Sequence, residues 1–393
     1  MQFSFHDNDI AGDNMFVKKT LVASFLALLG ASAPGVASAG EVRIGSVFGL
    51  TGPTASTSAE GLAIANGYFD MINAKGGING NTLKLVMRDD QYDPRKTPVL
   101  VDELVNKEGI VALVNGLGTA NTAALMKTGI LNQHKVPLVG VFSGSDIIRG
   151  PGSEQIFHTR ASYTDEVMKI ARLSTTLGLK RVAVLYQDDG FGASINQSIA
   201  KAAQDYQFEV IQKSGYKAGA TDFSQQAKEI AGAKPQAIFL MGVPEAVFRF
   251  MKAYDAPKGA SQIYALSFVP AKSLADFAGE QRVRGIGISQ VVPNPGSTTL
   301  PLAKDFQTFL KSPYGKGVTS NPLNFEVYLN IRLVVDAIKM AGAKPTPEKV
   351  TQALASMNGY QLGGYPISFS ESNRRGSHYL DIGVIGPNAR LSY

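Results

Sequence analysis

The chain has 393 residues, 44% of them hydrophobic and 18% charged, and it contains no cysteine. That length and apolar share are enough for more than one buried core. The missing cysteine excludes disulfides, thiolate nucleophiles, sulfur-based zinc sites and iron–sulfur clusters. The formal charge is +6, but the basic residues are scattered and no run of four Lys/Arg occurs, so the pattern reads as a solvated basic surface and not as a nucleic-acid face.

The first element in chain order is a targeting signal. Phe16-Val17-Lys18-Lys19 after Met15 forms a positive n-region, residues 20–30 an apolar stretch too short to span a membrane, and Ala37-Ser38-Ala39 a small-residue cleavage site. A signal peptide over residues 1–39 is expected. Met15 is expected to be the true start, because Asp7, Asp9 and Asp13 are out of place ahead of an n-region. Those 39 residues hold two lysines and three aspartates, which leaves 36 basic and 29 acidic side chains and a net charge of +7 in the remaining 354. The protein is expected in the periplasm without a lipid anchor, since no cysteine follows the cleavage site.

Short β-branched runs at Val42–Phe48, Leu83–Met87, Ile110–Val114 and Pro137–Val141 read as buried strands. Between them Leu62, Ala65, Phe69 and Ile72 fall at helical spacing, as do Leu100, Leu104 and Val105. The βαβα alternation repeats with strands at Arg181–Tyr186, Phe208–Gln212, Ala237–Met241 and Ile263–Leu266. Two doubly wound parallel sheets of α/β class follow from this. A further strand lies between Gly285 and Val292, then a long helix over Asn321–Ala341, then a shorter one opened by Thr346-Pro347-Glu348, and strand-like alternation from Gly363. No linker separates two domains, so the chain is expected to cross between lobes several times.

Three loops carry candidate chemistry. Gly116-Leu117-Gly118-Thr119-Ala120-Asn121 sits where a dinucleotide fingerprint would sit, but Asn121 replaces the third glycine and no acid follows at the next strand end. The alternatives are an anion site made by backbone N–H groups and the Thr119 hydroxyl, or a tight capped turn. Asp89-Asp90-Gln91-Tyr92-Asp93-Pro94 reads as an Asx turn and helix cap in preference to a cation loop, because it lacks the glycine and distal glutamate of a calcium site. Tyr186-Gln187-Asp188-Asp189-Gly190-Phe191-Gly192 places an aromatic ring at the carboxyl end of a parallel strand, as a ligand contact or folded into the core. The four histidines show no metal spacing and no G-x-S-x-G elbow is present.

Taken together, Gly49-Leu50-Thr51-Gly52-Pro53, Asn73-Ala74-Lys75-Gly76-Gly77-Ile78-Asn79-Gly80, Asp89-Asp90-x-x-Asp93-Pro94, Gly118-Thr119 and Asp188-x-x-Phe191-Gly192 resemble one family. It is that of the periplasmic substrate-binding proteins of branched-chain amino acid ABC transporters, the leucine/isoleucine/valine-binding type. The resemblance runs from about Glu41 to near the C-terminus. It implies a type I binding-protein fold of two lobes, joined by crossovers near Thr159, Gln290 and Gly363. Lobe 1 would hold residues 40–158 with 291–362, and lobe 2 residues 159–290 with 363–393.

The resemblance also implies site residues: Gly118 and Thr119 for the ligand carboxylate, the loop Phe142-Ser143-Gly144, and Phe191 covering the ligand on closure. Thr57 and Gly242 stand where relatives often carry tyrosines. Ser267, followed by Phe268, stands where relatives binding α-amino acids place an acid for the ammonium group. An unpaired buried ammonium costs several kcal/mol. A carboxylate or amide without an ammonium, an aromatic acid among them, therefore suits Thr119, Ser143, Phe142 and Phe268 better than leucine, unless Glu245 or Glu326 supplies the charge. The expected protein is a non-enzymatic, monomeric solute carrier with no cofactor, no metal and no nucleic acid, whose partners are a small solute and an inner-membrane ABC permease. A ligand-sensing module is the alternative.

Overall fold

The computed structural model describes residues 40–255 and 260–393, with backbone alone at residues 56 and 57. The expected signal peptide lies outside the described residues. Strand β1 (Gly40–Phe48) leads into α1 (Ala55–Asn73), β2 (Asn81–Asp89), α2 (Thr97–Asn106), β3 (Ala112–Val114), α3 (Thr119–Thr128), α4 (Ile130–His134), β4 (Leu138–Val139) and β5 (Ile156–Phe157). These five strands form one sheet in the order β2-β1-β3-β4-β5, parallel throughout.

The second half of the pattern starts at α5 (Tyr163–Thr176), whose first turn is closed by a capping box between Ser162 and Asp165. It continues with β6 (Arg181–Gln187), α6 (Gly190–Tyr206), β7 (Glu209–Tyr216), α7 (Ser224–Gly232), β8 (Ala237–Met241), α8 (Pro244–Ala253), β9 (Gln262–Ala265), α9 (Ala271–Ala278), α10 (Glu280–Val283) and β10 (Gly287–Gln290). The chain then forms α11 (Pro301–Lys311), α12 (Pro322–Met340), α13 (Pro347–Ala355), the hairpin β11 (Tyr360–Leu362) and β12 (Tyr365–Ile367), and last β13 (Asp381–Ile385) and β14 (Leu391–Ser392). As the sequence predicts, Thr346 caps α13 by accepting from the Lys349 N–H, with Pro347 in the first turn.

The second sheet runs β14-β13-β10-β9-β8-β6-β7. It is not parallel throughout: β13 pairs antiparallel with β10, and β14 with β13. The physical reason is that no crossover helix precedes β13, so the tail joins the sheet edge without the α-helical return that a parallel partner requires. Setting that edge aside, both sheets follow the same order, with the first strand of each lying between its second and third.

Alternation along the strands divides the core. In β6, Val182 and Val184 face one way and Ala183 and Leu185 the other; in β8, Phe239 and Met241 oppose Ile238 and Leu240. Val182, Val184, Phe239 and Met241 share one apolar cluster with Ile44 and Val114 of the first sheet, and Phe142, Tyr163, Phe191 and Phe268 belong to it too. The outer faces of the two sheets hold separate clusters.

The segment after Gly363 stays beside the first sheet for some distance. Phe369 meets the Phe157 ring at 5.1 Å, and the Gly376 N–H donates to the His158 carbonyl at 2.8 Å. Among the described residues no helix is long and apolar enough to cross a membrane.

Candidate functional site

In a sheet with the order 2-1-3-4-5, the loops after the first and third strands diverge to opposite faces and leave a crevice at the carboxyl ends. Both crevices are used here. From the first sheet, Phe48 ends β1, Leu117, Gly118 and Thr119 follow β3, and Phe142 follows β4; from the second, Phe191 follows β6, Val243 and Pro244 follow β8, and Phe268 follows β9. With Thr54, Tyr92, Tyr163, Leu323 and Val327 they enclose a cavity of about 40 Å³, and none of these residues carries a formal charge.

One end of the cavity is polar. The Thr119 hydroxyl lies 2.8 Å from that of Ser143, which also accepts from the Ser145 N–H at 3.3 Å. Helix α3 begins at the cavity on Gly118, without a side-chain cap or an acid in its first turn, and that turn presents partial positive charge, which favours an anion. Helix α8, which begins after Val243, carries the acidic Glu245 in its first turn; that side chain lines a neighbouring cavity with Tyr216 and Arg249 and not this one. The rest of the wall is aromatic: Tyr163 lies 5.1 Å from Phe191 and 6.0 Å from Phe268, Phe191 lies 6.4 Å from Phe268, and Phe48 and Phe142 meet at 6.1 Å.

The structure brings Gly118, Thr119, Phe142, Phe191 and Phe268 onto the cavity wall. Ser143 stands behind Thr119, and the Gly144 carbonyl accepts from the Tyr163 N–H at 2.7 Å, seating the start of α5. Gly242 lies outside the wall and leaves room for Tyr216, whose hydroxyl would be 2.6 Å from a Cβ at that position. Thr57 sits in the first turns of α1, and its side chain lies outside the described residues.

Ser267 is also outside the wall, because it is committed elsewhere. Its hydroxyl accepts from Arg160 Nη2, and its N–H donates to Glu166 Oε2 at 3.1 Å. Arg160 is fully buried, 3.2 Å from Glu326 Oε1 through Nε, with its guanidinium 4.1 Å from the Phe268 ring centroid and 5.9 Å from that of Phe142. Its Nε and Nη1 make no hydrogen bond among the described residues, so the contact with Glu326 is an ion pair without one, and the two ring faces supply further attraction. Glu326 is thereby tied to an internal cation and does not line the cavity.

The Asp89–Pro94 loop is held by Asx turns, as its sequence suggests: Asp89 accepts from the Gln91 N–H and Asp90 from the Tyr92 N–H, each at 2.9 Å. Asn121, in place of the fingerprint glycine, donates to Asp90 at 3.0 Å and to Thr97 at 2.9 Å. Among the described residues no group of acids and histidines is placed to hold a metal ion.

Tyr92, Tyr163, Arg160, Phe48, Leu323 and Val327 escape sequence reasoning. Tyr92 lies inside a recognised motif, so its signal was present. Arg160 has none, since its partners are 107 and 166 positions away in the chain.

A family model described as periplasmic binding protein matches residues 41–389. The Leu/Ile/Val-binding protein homolog 6 of Brucella abortus (strain 2308) is 25% identical over 366 residues, covering 91% of this chain and 90% of that protein. A substrate-binding periplasmic protein from Ralstonia solanacearum superposes with a TM-score of 0.84 at 32% identity, over 89% of this chain and 99% of the other. A solute-binding protein of an ABC transporter from R. palustris, solved with 4-hydroxybenzoate, superposes with a TM-score of 0.75 at 20% identity, over 89% and 95%, which shows likeness of fold alone. With its two sheets closing on one cavity and the match spanning nearly all of the described residues, the chain belongs to the periplasmic binding protein family.

Proposed function

We propose that this protein captures a small aromatic carboxylate lacking an ammonium group and delivers it to an inner-membrane ABC permease. Proteins of this family bind small solutes for such permeases, and the family places them in the periplasm. The finer reading rests on one observation: the cavity is walled by six aromatic rings, two of them tyrosines, and by no carboxylate. An α-amino acid closed into it would leave its ammonium unpaired, at a cost of several kcal/mol. A carboxylate, by contrast, is met by the uncapped start of α3 at Gly118 and by the Thr119 hydroxyl.

The Brucella relatives are named for leucine, isoleucine and valine and the R. palustris neighbour was solved with 4-hydroxybenzoate, so the two ligand classes can be set against each other. In a thermal-shift panel, benzoate, 4-hydroxybenzoate or phenylacetate at 100 times Kd should raise the melting temperature by about 3–6 °C. Leucine and phenylalanine should leave it unchanged. A shift with leucine and none with the aromatic acids overturns the reading.

Thr119→Val keeps the shape of the side chain and removes its hydroxyl. Calorimetry with the responding acid should show binding about 10-fold to 100-fold weaker, the range for a hydrogen bond to a charged group. Unchanged affinity would remove Thr119 from the carboxylate site.

We further infer that residues 1–39 are cleaved on export, that the mature protein is a monomer, and that the lobes exchange chain near Thr159 and Gln290 and again between Arg375 and Asp381. The contacts of Phe369 with Phe157 in β5 and of Gly376 with His158 support a third crossover after Arg375, against the alternative at Gly363. At the first crossover, Thr159 donates to Asn330 of α12 at 2.6 Å, and Asn330 donates to Asn115 after β3 at 2.9 Å.

A further inference from the structure

Gln91 and Tyr92 both adopt the left-handed backbone region, with φ of 57° and 60°. Neither is a glycine, so the conformation is strained and persists only where its surroundings impose it. They do so here. Asp89 and Asp90 accept from the two strained N–H groups, and each carboxylate is anchored in turn: Asp89 by the Leu50 N–H at 2.9 Å and the Thr51 hydroxyl at 2.6 Å, Asp90 by Thr97 at 2.6 Å and Asn121 at 3.0 Å.

The result is to throw the Tyr92 side chain across the cleft. Tyr92 belongs to a loop of the first sheet, yet its ring packs against the apolar cluster of the second, the cluster that holds Tyr216 and Val243. Its hydroxyl accepts from Gln187 Nε2 at 3.5 Å, and the same Gln187 nitrogen donates to Asp189, the N-cap of α6, at 2.7 Å. The ring is also part of the cavity wall, and Gly118 clears space for it, since a Cβ there would lie 2.8 Å from Tyr92 Cε2.

We propose that Tyr92 is the latch and a selectivity residue of the cleft: a first-sheet side chain that completes the cavity wall by docking on the second sheet, so that a solute is retained according to how it fits beneath that ring. The selectivity half rests on the cavity being the solute site; the latch half does not. Opening the lobes must withdraw the ring from the second-sheet cluster, and the strained loop keeps it aimed there for the next closure.

The absence of cysteine allows a clean measurement. Cysteines introduced at the exposed positions Lys127 on α3 and Lys228 on α7 take one spin label in each lobe. Pulsed electron resonance on the solute-free protein should show Tyr92→Gly moving the distance distribution to longer values, while Tyr92→Phe keeps that of the unsubstituted protein. Glycine suits the positive φ, so this variant removes the ring and relieves the strain together; a merely structural role would change the melting temperature and leave the distances in place. With benzoate and 4-hydroxybenzoate as probes, Tyr92→Gly should bind about 30-fold more weakly, chiefly through faster dissociation, and Tyr92→Phe, which keeps the ring, should bind benzoate more tightly than Tyr92→Gly. Unchanged distances in Tyr92→Gly overturn the latch, whatever the probes do. Equal affinities in Tyr92→Gly and the unsubstituted protein overturn the selectivity role. Failure of both probes to bind the unsubstituted protein overturns the aromatic-acid reading and the selectivity role that rests on it, and the distance measurement still decides the latch.

Discussion

Arg160→Met will destabilise the folded protein by about 3–5 kcal/mol at pH 8 and by markedly less at pH 5. The guanidinium is the fully buried partner of Glu326 and also donates to Ser267. Removing one member of a buried ion pair leaves the other charge without compensation, and that stranded charge accounts for most of the loss. Burial, against the opposing pull of Arg160 and Arg149 and with a smaller push from the neighbouring Glu166, raises the Glu326 carboxyl to about 7.

A carboxyl held above its unfolded value binds its proton more tightly in the folded state than in the unfolded one. Its contribution to stability is therefore full below the ordinary value near 4.5 and is lost as pH climbs through about 7. Without Arg160 the folded value moves higher still and the loss between pH 5 and pH 8 steepens. Urea unfolding at the two pH values measures this. Adding Glu326→Leu should recover most of the deficit at pH 8, because an apolar pair of similar volume replaces the stranded carboxylate. A deficit equal at both pH values, or no recovery in the double variant, contradicts this account.

Gly118→Val will abolish capture of the solute, weakening it at least about 100-fold, and will lower stability by about 2–4 kcal/mol. Gly118 is the N-cap of α3 with φ of 94° and ψ of 138°, a region that side chains with a Cβ avoid. A Cβ would lie 2.8 Å from Asn121 Oδ1 and 2.8 Å from Tyr92 Cε2. The first clash breaks the Asn121–Asp90–Thr97 set that holds the Tyr92 loop, and the second displaces the ring itself. Valine would also turn the Thr119 hydroxyl and the first N–H groups of α3 away from the cavity. Titration calorimetry with the responding acid and thermal unfolding check the two halves separately. Binding within a few-fold of the unsubstituted protein would show that the α3 start does not need this backbone geometry.

Residue periodicity was enough to read two parallel α/β sheets, since β-branched runs separated by helical spacing have few other ways to bury themselves. The antiparallel edge at β13 and β14 was not legible, because strand direction depends on the path of the connection and not on the strand's own residues. At the site, Gly118 and Thr119 could be found because a glycine-rich turn after a buried strand and before a helix has a local physical meaning. Phe191 was visible for the same reason. Ser267 carried a strand-end position but no sign that its hydroxyl is engaged by Arg160, more than a hundred residues earlier.

Elements, their order and the glycine-rich strand-end loops are thus written along the chain, because each depends on neighbours within a turn or a strand. Which aromatic rings meet, which acid is neutralised inside the protein and which tyrosine crosses the cleft were decided only by the folded structure. Tyr92, Arg160, Glu166, Glu326 and Ser267 have no local pattern in common, and their chemistry arises where the crossovers and the two sheet ends bring distant residues within hydrogen-bond reach.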